Sequence, residues 1–251
     1  MGPAEVAKRI EDNRTLPSGN DERVYGYAVM GMPFESGEML AMRRWVASSF
    51  GPPYDAVWHR NADGEWGIFV NAPLEVSCPR FFGSAASESR VGAIDIAWPG
   101  PETMVVDLDG GLIHWEVSLV STFSTRMMNA MAAPMPDFLW RSAKLLGAMG
   151  RMAGPMLRAG KMGMAGLVPN GQRFLANPMR IWMVGDSKAT VEGRDMGMPG
   201  AAGPQDHLAD FWVPQKGIFA VGAFHAEALD PARHLVATSK AGAEVSGPLR
   251  A

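Results

Sequence analysis

The run Leu112–Ser121 carries the most chemistry in the chain. Ile113, Trp115, Val117 and Leu119 alternate there with His114, Glu116 and Ser118. A period of two marks a strand with one buried face. Two readings follow. The polar triplet faces water, or it faces a lumen. In a lumen, desolvation raises a carboxyl pKa into the range of a general acid or base. His114, on the same face as Glu116, is placed to share its proton. Asp95, between Ile94 and Ile96, is a second carboxylate. If its strand neighbours Leu112–Ser121, the two acids split their titrations into one acid and one base. Glu116, Asp95 and His114 are therefore the catalytic candidates, each with a solvent-facing alternative.

The binding candidates are cationic or aromatic. Met42-Arg43-Arg44-Trp45 puts Arg43 and Arg44 on opposite faces of one strand. A buried arginine needs a carboxylate partner or an anionic ligand, so the pair forms structural ion pairs or recognises a carboxylate or enolate. Trp58 and His59 end a strand, again facing opposite ways. Trp212 shares a face with Asp210 and can stack on an unsaturated ligand or pack in the core. Asn170 and Gln172 are polar residues at a turn. His59, His114, His207, His225 and His234, with the single Cys78, show no metal-ligand spacing. No metal and no organic cofactor is expected.

These residues must be held by strands. Val24–Met30, Met39–Val46, Tyr54–Arg60, Trp66–Asn71, Gly92–Trp98, Thr103–Leu108 and Leu112–Ser121 read as consecutive strands, with Asn61-Ala62-Asp63-Gly64 as a hairpin turn. Pro73–Arg90 reads as irregular. Short connections imply an antiparallel meander. Thr122–Gly166 is different: rich in Met, Ala and Leu, with helices expected over Thr125–Ala133 and Pro136–Met152. Pro155 should start a new piece. Strands resume at Arg180–Val184, Ala189–Gly193, Asp210–Val213 and Gly217–Phe224, after a turn at Pro169-Asn170-Gly171. The stretch after Asp230 reads as a tail or a weak edge element. The fold expected is mainly β: one domain over residues 1–251, with an antiparallel barrel or closed meander of about ten strands (24–121 and 167–224). A Met-rich helical insertion or lid occupies 122–166. Such a barrel encloses a cavity.

Gly64-Glu65-Trp66 matches the G-x-W signature of lipocalins, here opening the fourth strand. The long meander with many strand tryptophans resembles lipocalin-like barrel enzymes such as carotenoid hydratases and pericyclases. That resemblance implies a polyene or polyketide ligand in an apolar lumen, and it carries over no catalytic residue. Acetoacetate decarboxylases have similar length and β content, but Val24–Ser121 contains no lysine to match their Schiff-base residue.

Composition narrows the classes. The 251 residues are 47% hydrophobic and 20% charged, ordinary for a chain with a core. A formal net charge of −3 gives no footprint for nucleic acid. The one cysteine fits a reduced, cytoplasmic setting. Met1–Arg23 lacks the apolar core of a signal peptide, and no apolar run is long enough to span a bilayer. No P-loop, G-x-G-x-x-G, H-E-x-x-H or G-x-S-x-G occurs. Charge is nonetheless uneven: residues 121–175 hold seven basic side chains, Arg126, Arg141, Lys144, Arg151, Arg158, Lys161 and Arg173, against Asp137 alone. Peripheral membrane contact through 136–161 is one expectation from this, a solvated helix face the other. The functional expectation is a hydrophobic small molecule in a barrel cavity. Cofactor-free lyase, isomerase or cyclase chemistry by acid–base catalysis would act on it. The alternative is a non-catalytic lipid or isoprenoid carrier or sensor.

Overall fold

The computed structural model describes residues 1–200 and 203–236. Of the stretch after Asp230, residues 237–251 lie outside the described residues. The described chain is mainly β, 41% strand and 21% helix. Its strands are β1 (Glu22–Pro33), β2 (Met39–Ser48), β3 (Tyr54–Arg60), β4 (Trp66–Val70), β5 (Glu88–Val91), β6 (Ile94–Ala97), β7 (Thr103–Leu108), β8 (Ile113–Val120), β9 (Ala165–Leu167), β10 (Arg173–Val191), β11 (Arg194–Asp195), β12 (His207–Leu208), β13 (Phe211–Trp212) and β14 (Ile218–Ala226). The helices are α1 (Pro3–Asp12), α2 (Pro79–Phe82), α3 (Phe123–Ala132) and α4 (Ala143–Leu157).

Ten strands run in the order β5-β4-β3-β2-β1-β14-β10-β8-β7-β6, with β9 and β11 attached to β10. All neighbours on this path are antiparallel except β4 and β5, which are parallel. The sheet curls into a half-barrel, not the closed antiparallel barrel expected from the sequence. The meander also breaks. After β5 the chain turns at Gly92-Ala93 and enters β6, the opposite edge of the sheet. The two edges thus meet through two residues of chain, pinned by Asp109, which accepts from Ala93 N–H at 2.7 Å and from Arg90 at 2.7 Å. No ladder joins β5 to β6 among the described residues.

The concave side is filled. Tyr27, Met42, Val57, Phe69, Trp115 and Phe219, from six strands, form one cluster closed by Val6, Ala7 and Ile10 of α1. The expected alternation in β8 holds, with Ile113, Trp115, Val117 and Leu119 all buried. Trp115 Nε1 donates to Ser187 Oγ at 2.7 Å, satisfying its polar tip. Helix α1 is new relative to the sequence reading. Its apolar face is only Val6, Ala7 and Ile10, too little to stand out in a polar stretch. Arg44 anchors it: the guanidinium meets Asp55 at 2.8 and 3.0 Å and Glu11 of α1 at 3.2 Å, and Tyr27 Oη donates to Glu11 at 2.7 Å.

Two bulges set the curl. In β1–β2 the register shifts between Tyr25 and Gly26, and in β10–β14 between Pro178 and Arg180. Gly26 and Gly222 are direct partners between these bulges. A Cβ on Gly26 would lie 1.9 Å from the Arg44 carbonyl oxygen, and one on Gly222 1.9 Å from that of Asn177. Only glycine permits this approach. Pro178, without an N–H, is tolerated mid-sheet because it sits at the bulge. A further shift, between Val184 and Asp186, swaps the inward parity of β10, so Trp182 and Ala189 both face the core. This swap splits one 19-residue strand into the two short ones expected.

In the helical segment, α3 falls within two residues of expectation, capped by Thr122 through a reciprocal bond with Thr125. The helix expected from Pro136 instead begins at Ala143, with Ser142 as its cap. Pro155 lies within its last turn and starts nothing new. Gly222→Ala is expected to lower the unfolding free energy by about 1–3 kcal/mol, the usual cost of forcing atoms into packed space, read as a lower urea midpoint. An unchanged midpoint would show that the Asn177 carbonyl does not crowd this position.

Candidate functional site

The cavity lies outside the half-barrel. It opens between the convex face of β1, β14 and β10 and the helical segment α3–α4, with a volume of about 460 Å³. That falls within the range of small-molecule sites. Its floor is made of small side chains, among them Gly26, Ala28, Ala176, Ala220 and Gly222. Facing them are eight of the nine methionines between Thr122 and Gly166, all but Met127. Small residues on one side and flexible, polarizable ones on the other leave adaptable apolar space. Met131 and Met152 line it while more than half exposed, so they form its rim. The barrel lumen expected to hold the ligand is packed core instead, and the segment expected to be a lid lines the space.

The polar groups at this cavity are few. Asn177 is buried in the wall and its Oδ1 has no partner. Tyr54 and Cys78 line one end, Tyr54 Oη 3.6 Å from Cys78 Sγ. Burial pushes the Cys78 thiol up, with Arg43 and the Tyr54, Trp45 and Trp58 side chains pulling it back, and burial likewise pushes Tyr54 well up. Both are neutral at physiological pH. Behind this wall stands Arg43, 3% exposed, its guanidinium carbon 3.5 Å above the Trp58 ring centroid and 5.7 Å from that of Phe211. Its register partners are Ala28 on β1 and Ala56 on β3, whose small side chains leave room for it. Nη1 and Nη2 of Arg43 and Nε1 of Trp58 have no hydrogen-bond partner among the described residues. Burial lowers the Arg43 pKa to about 10, leaving it cationic at neutral pH.

The other candidates are placed as follows. Glu116, Asp95 and His114 stand on the outer face of β6–β8, and none lines the cavity. Asp95 and Glu116 do not pair: Asp95 faces Asp107 and Glu116 faces Val105 in the ladders. The Glu116 side chain is 53% exposed, so the desolvation that a lumen role required is missing. His114 instead bridges two acids, Asp107 Oδ1 at 2.7 Å from Nδ1 and Glu116 Oε1 at 3.5 Å from Nε2. Arg44 is the structural half of the arginine pair, held as above. Trp58 packs edge-on to Trp66 and Phe82 beneath Arg43. His59 bonds the buried Glu38 at 2.6 Å, which also receives Arg194 at 3.0 Å, away from the cavity. Trp212 does line the cavity, stacked on His207 with ring centroids 4.4 Å apart and with Lys161 Nζ 4.1 Å over its ring. Asn170 and Gln172 belong to a separate network with Arg80 and Glu22.

Sequence reasoning missed Tyr54, Cys78 and Asn177 at the site. The signal was present only in the register: Ala41-Met42-Arg43 and Tyr54-Asp55-Ala56 alternate so that Arg43, Tyr54 and Ala56 share a face. Among the described residues no three His, Cys, Asp or Glu side chains converge to hold a metal. Compared with known proteins, the chain matches no family model and no curated protein is significantly similar to it.

The His114 cluster yields a pH prediction. Its hydrogen bond to Asp107 raises the His114 pKa, opposed by slight burial and aided by Glu116. The ion pair's contribution is thus full below the ordinary value of 6.5 and disappears as pH rises through the raised one. NMR titration should place the His114 midpoint above 6.5, and Asp107→Asn should move it back down. A midpoint indifferent to Asp107→Asn contradicts the bridging geometry.

Proposed function

We propose that this protein binds a hydrophobic small molecule between the convex sheet face and the methionine-rich helices, and serves as a carrier or sensor for it. The observation that carries this reading is the cavity itself, about 460 Å³ with a wall almost wholly of apolar side chains. An apolar, preformed space of this size is what such ligands require. Carriage is favoured over acid–base turnover because no Asp, Glu or His lines the cavity among the described residues. The first test uses the neutral fluorophore N-phenyl-1-naphthylamine. Fluorescence should rise to saturation at one probe per chain, and Ala220→Trp, which fills the floor, should abolish the rise without lowering the melting temperature much. No enhancement with the unmodified protein ends this reading. Mass spectrometry of the native protein, then organic extraction, identifies any co-purifying ligand.

Contact with an anionic membrane belongs to the same proposal. Phe123 and Phe138 are 73% and 70% exposed, and Met131 and Met152 stand at the cavity rim. In the same helical segment Arg126, Lys144, Arg151 and Arg158 are exposed. Exposed apolar side chains and cations on one segment fit a bilayer of acidic lipids, each cation near such a surface contributing about 1 kcal/mol. No helix among the described residues is long and apolar enough to cross a membrane, so the contact would be peripheral. Lys144→Glu with Arg151→Glu should weaken sedimentation with phosphatidylserine vesicles at least tenfold at low salt while leaving the melting temperature unchanged. Equal binding to phosphatidylcholine vesicles would refute the electrostatic part.

A further inference from the structure

Behind the Tyr54–Cys78 wall of the cavity stands a charge that has no counter-ion among the described residues. Arg43 is buried, and among the described residues its terminal nitrogens are unpaired and no carboxylate contacts it. The groups around it are donors or neutral: the Trp58 indole N–H, also unpaired, the Tyr54 hydroxyl and the Cys78 thiol. Its neighbour Arg44 shows what the same side chain does when a structural pair is wanted, gripping Asp55 through two parallel bonds. Stacking on Trp58 fixes the plane of the Arg43 fork. Buried charges without partners are rare because the desolvation is uncompensated, and an anion supplied from outside removes the anomaly.

We propose that Arg43 supplies the charge that recognises the carboxylate of an amphiphilic ligand, whose chain lies in the cavity and whose head group rests against Tyr54 and Cys78. This rests on the cavity-binding reading. A carboxylate fits better than a phosphate ester: among the described residues no Lys or Arg lines the cavity to add to Arg43 behind its wall, so a dianion would leave one negative charge buried and unmatched. The guanidinium fork also suits the two oxygens of a carboxylate. The chain leaves the head group along the floor of Ala28, Gly26 and Gly222 toward the rim at Met131 and Met152.

The experiment is titration calorimetry at neutral pH with dodecanoate, dodecan-1-ol, dodecyl phosphate and acetate. The unmodified protein should bind dodecanoate about 10- to 100-fold more tightly than dodecanol, the range for a hydrogen bond to a charged group. Dodecyl phosphate should bind more weakly than dodecanoate, and acetate should not displace it at equal concentration. Arg43→Met should bind acid and alcohol equally and melt no lower than the unmodified protein. Trp58→Phe, which keeps the packing and deletes one donor, should weaken the acid alone. Equal affinity for acid and alcohol in the unmodified protein overturns the head-group assignment and leaves cavity binding intact. Failure of both to bind removes the two proposals together. Tighter binding of the phosphate, or displacement by acetate, overturns the choice of an amphiphilic monoanion.

Discussion

Gly26 faces Gly222 across the β1–β14 ladder, and the missing side chains there determine both halves of the architecture. With carbonyl oxygens of Arg44 and Asn177 occupying the space of the two Cβ atoms, β2 and β10 close in on the central pair from either side. The bulges that deliver those carbonyls sharpen the twist, and the sheet curls until its edge strands join through Gly92-Ala93. The same absence leaves the convex surface of the central strands shallow. Helices laid over it meet glycine and alanine rather than large side chains, and what remains between is the cavity. Curl and cavity thus share one cause. A sequence that filled these positions would flatten the sheet and close the space together.

The curl also decides which side is available to a ligand. Inside, large residues from nearly every strand converge with α1 as a plug, and the interior is close-packed. The plug is held by a polar latch rather than by its small apolar face: Arg44 spans Asp55 and Glu11, and the Tyr27 hydroxyl supports Glu11 from within. Breaking one partner of such a cluster strands the others half-buried, so the latch acts as a unit. Because the interior is occupied, the open space lies on the outer face, with the methionine-rich segment across it. Methionine suits the wall of such a space, since its unbranched side chain repacks around different shapes at small cost.

Much of the sheet was legible in the residues. Tyr54–Arg60 and Thr103–Leu108 have the bounds expected of them, and the alternation in Leu112–Ser121 identified a buried face because strand parity is a local property. What depends on register was not legible. The parity swap near Gly185 hid the continuity of β10, and β5, four residues with Val91 its one apolar side chain, carried no alternation to detect. The direction of curl was the costliest gap. Without it, the lumen was the natural place for a ligand and the polar triplet of β8 its natural catalyst. Once Trp115 is inside the packed core, His114 and Glu116 must be outside. Of the binding candidates, Trp212 lines the cavity and Arg43 stands behind its wall, whereas Tyr54, Cys78 and Asn177 carried no local pattern.

The doublet Arg43-Arg44 shows how strand geometry alone can give two identical side chains opposite physical situations. Adjacent residues point to opposite faces. On the concave face, Arg44 meets two carboxylates at a barrel end still open to water. On the convex face, Arg43 descends between Ala28 and Ala56 onto Trp58, where the neighbours are aromatic or neutral. Desolvating a lone ion costs several kcal/mol even after relaxation, and stacking over one desolvated indole returns on the order of 2 kcal/mol. The difference is a standing cost borne by the ligand-free fold, one that an apolar side chain of similar volume would spare it. That cost is offset when an anion docks at the Tyr54–Cys78 wall, where the low local dielectric that penalised the isolated guanidinium strengthens its attraction for the incoming charge.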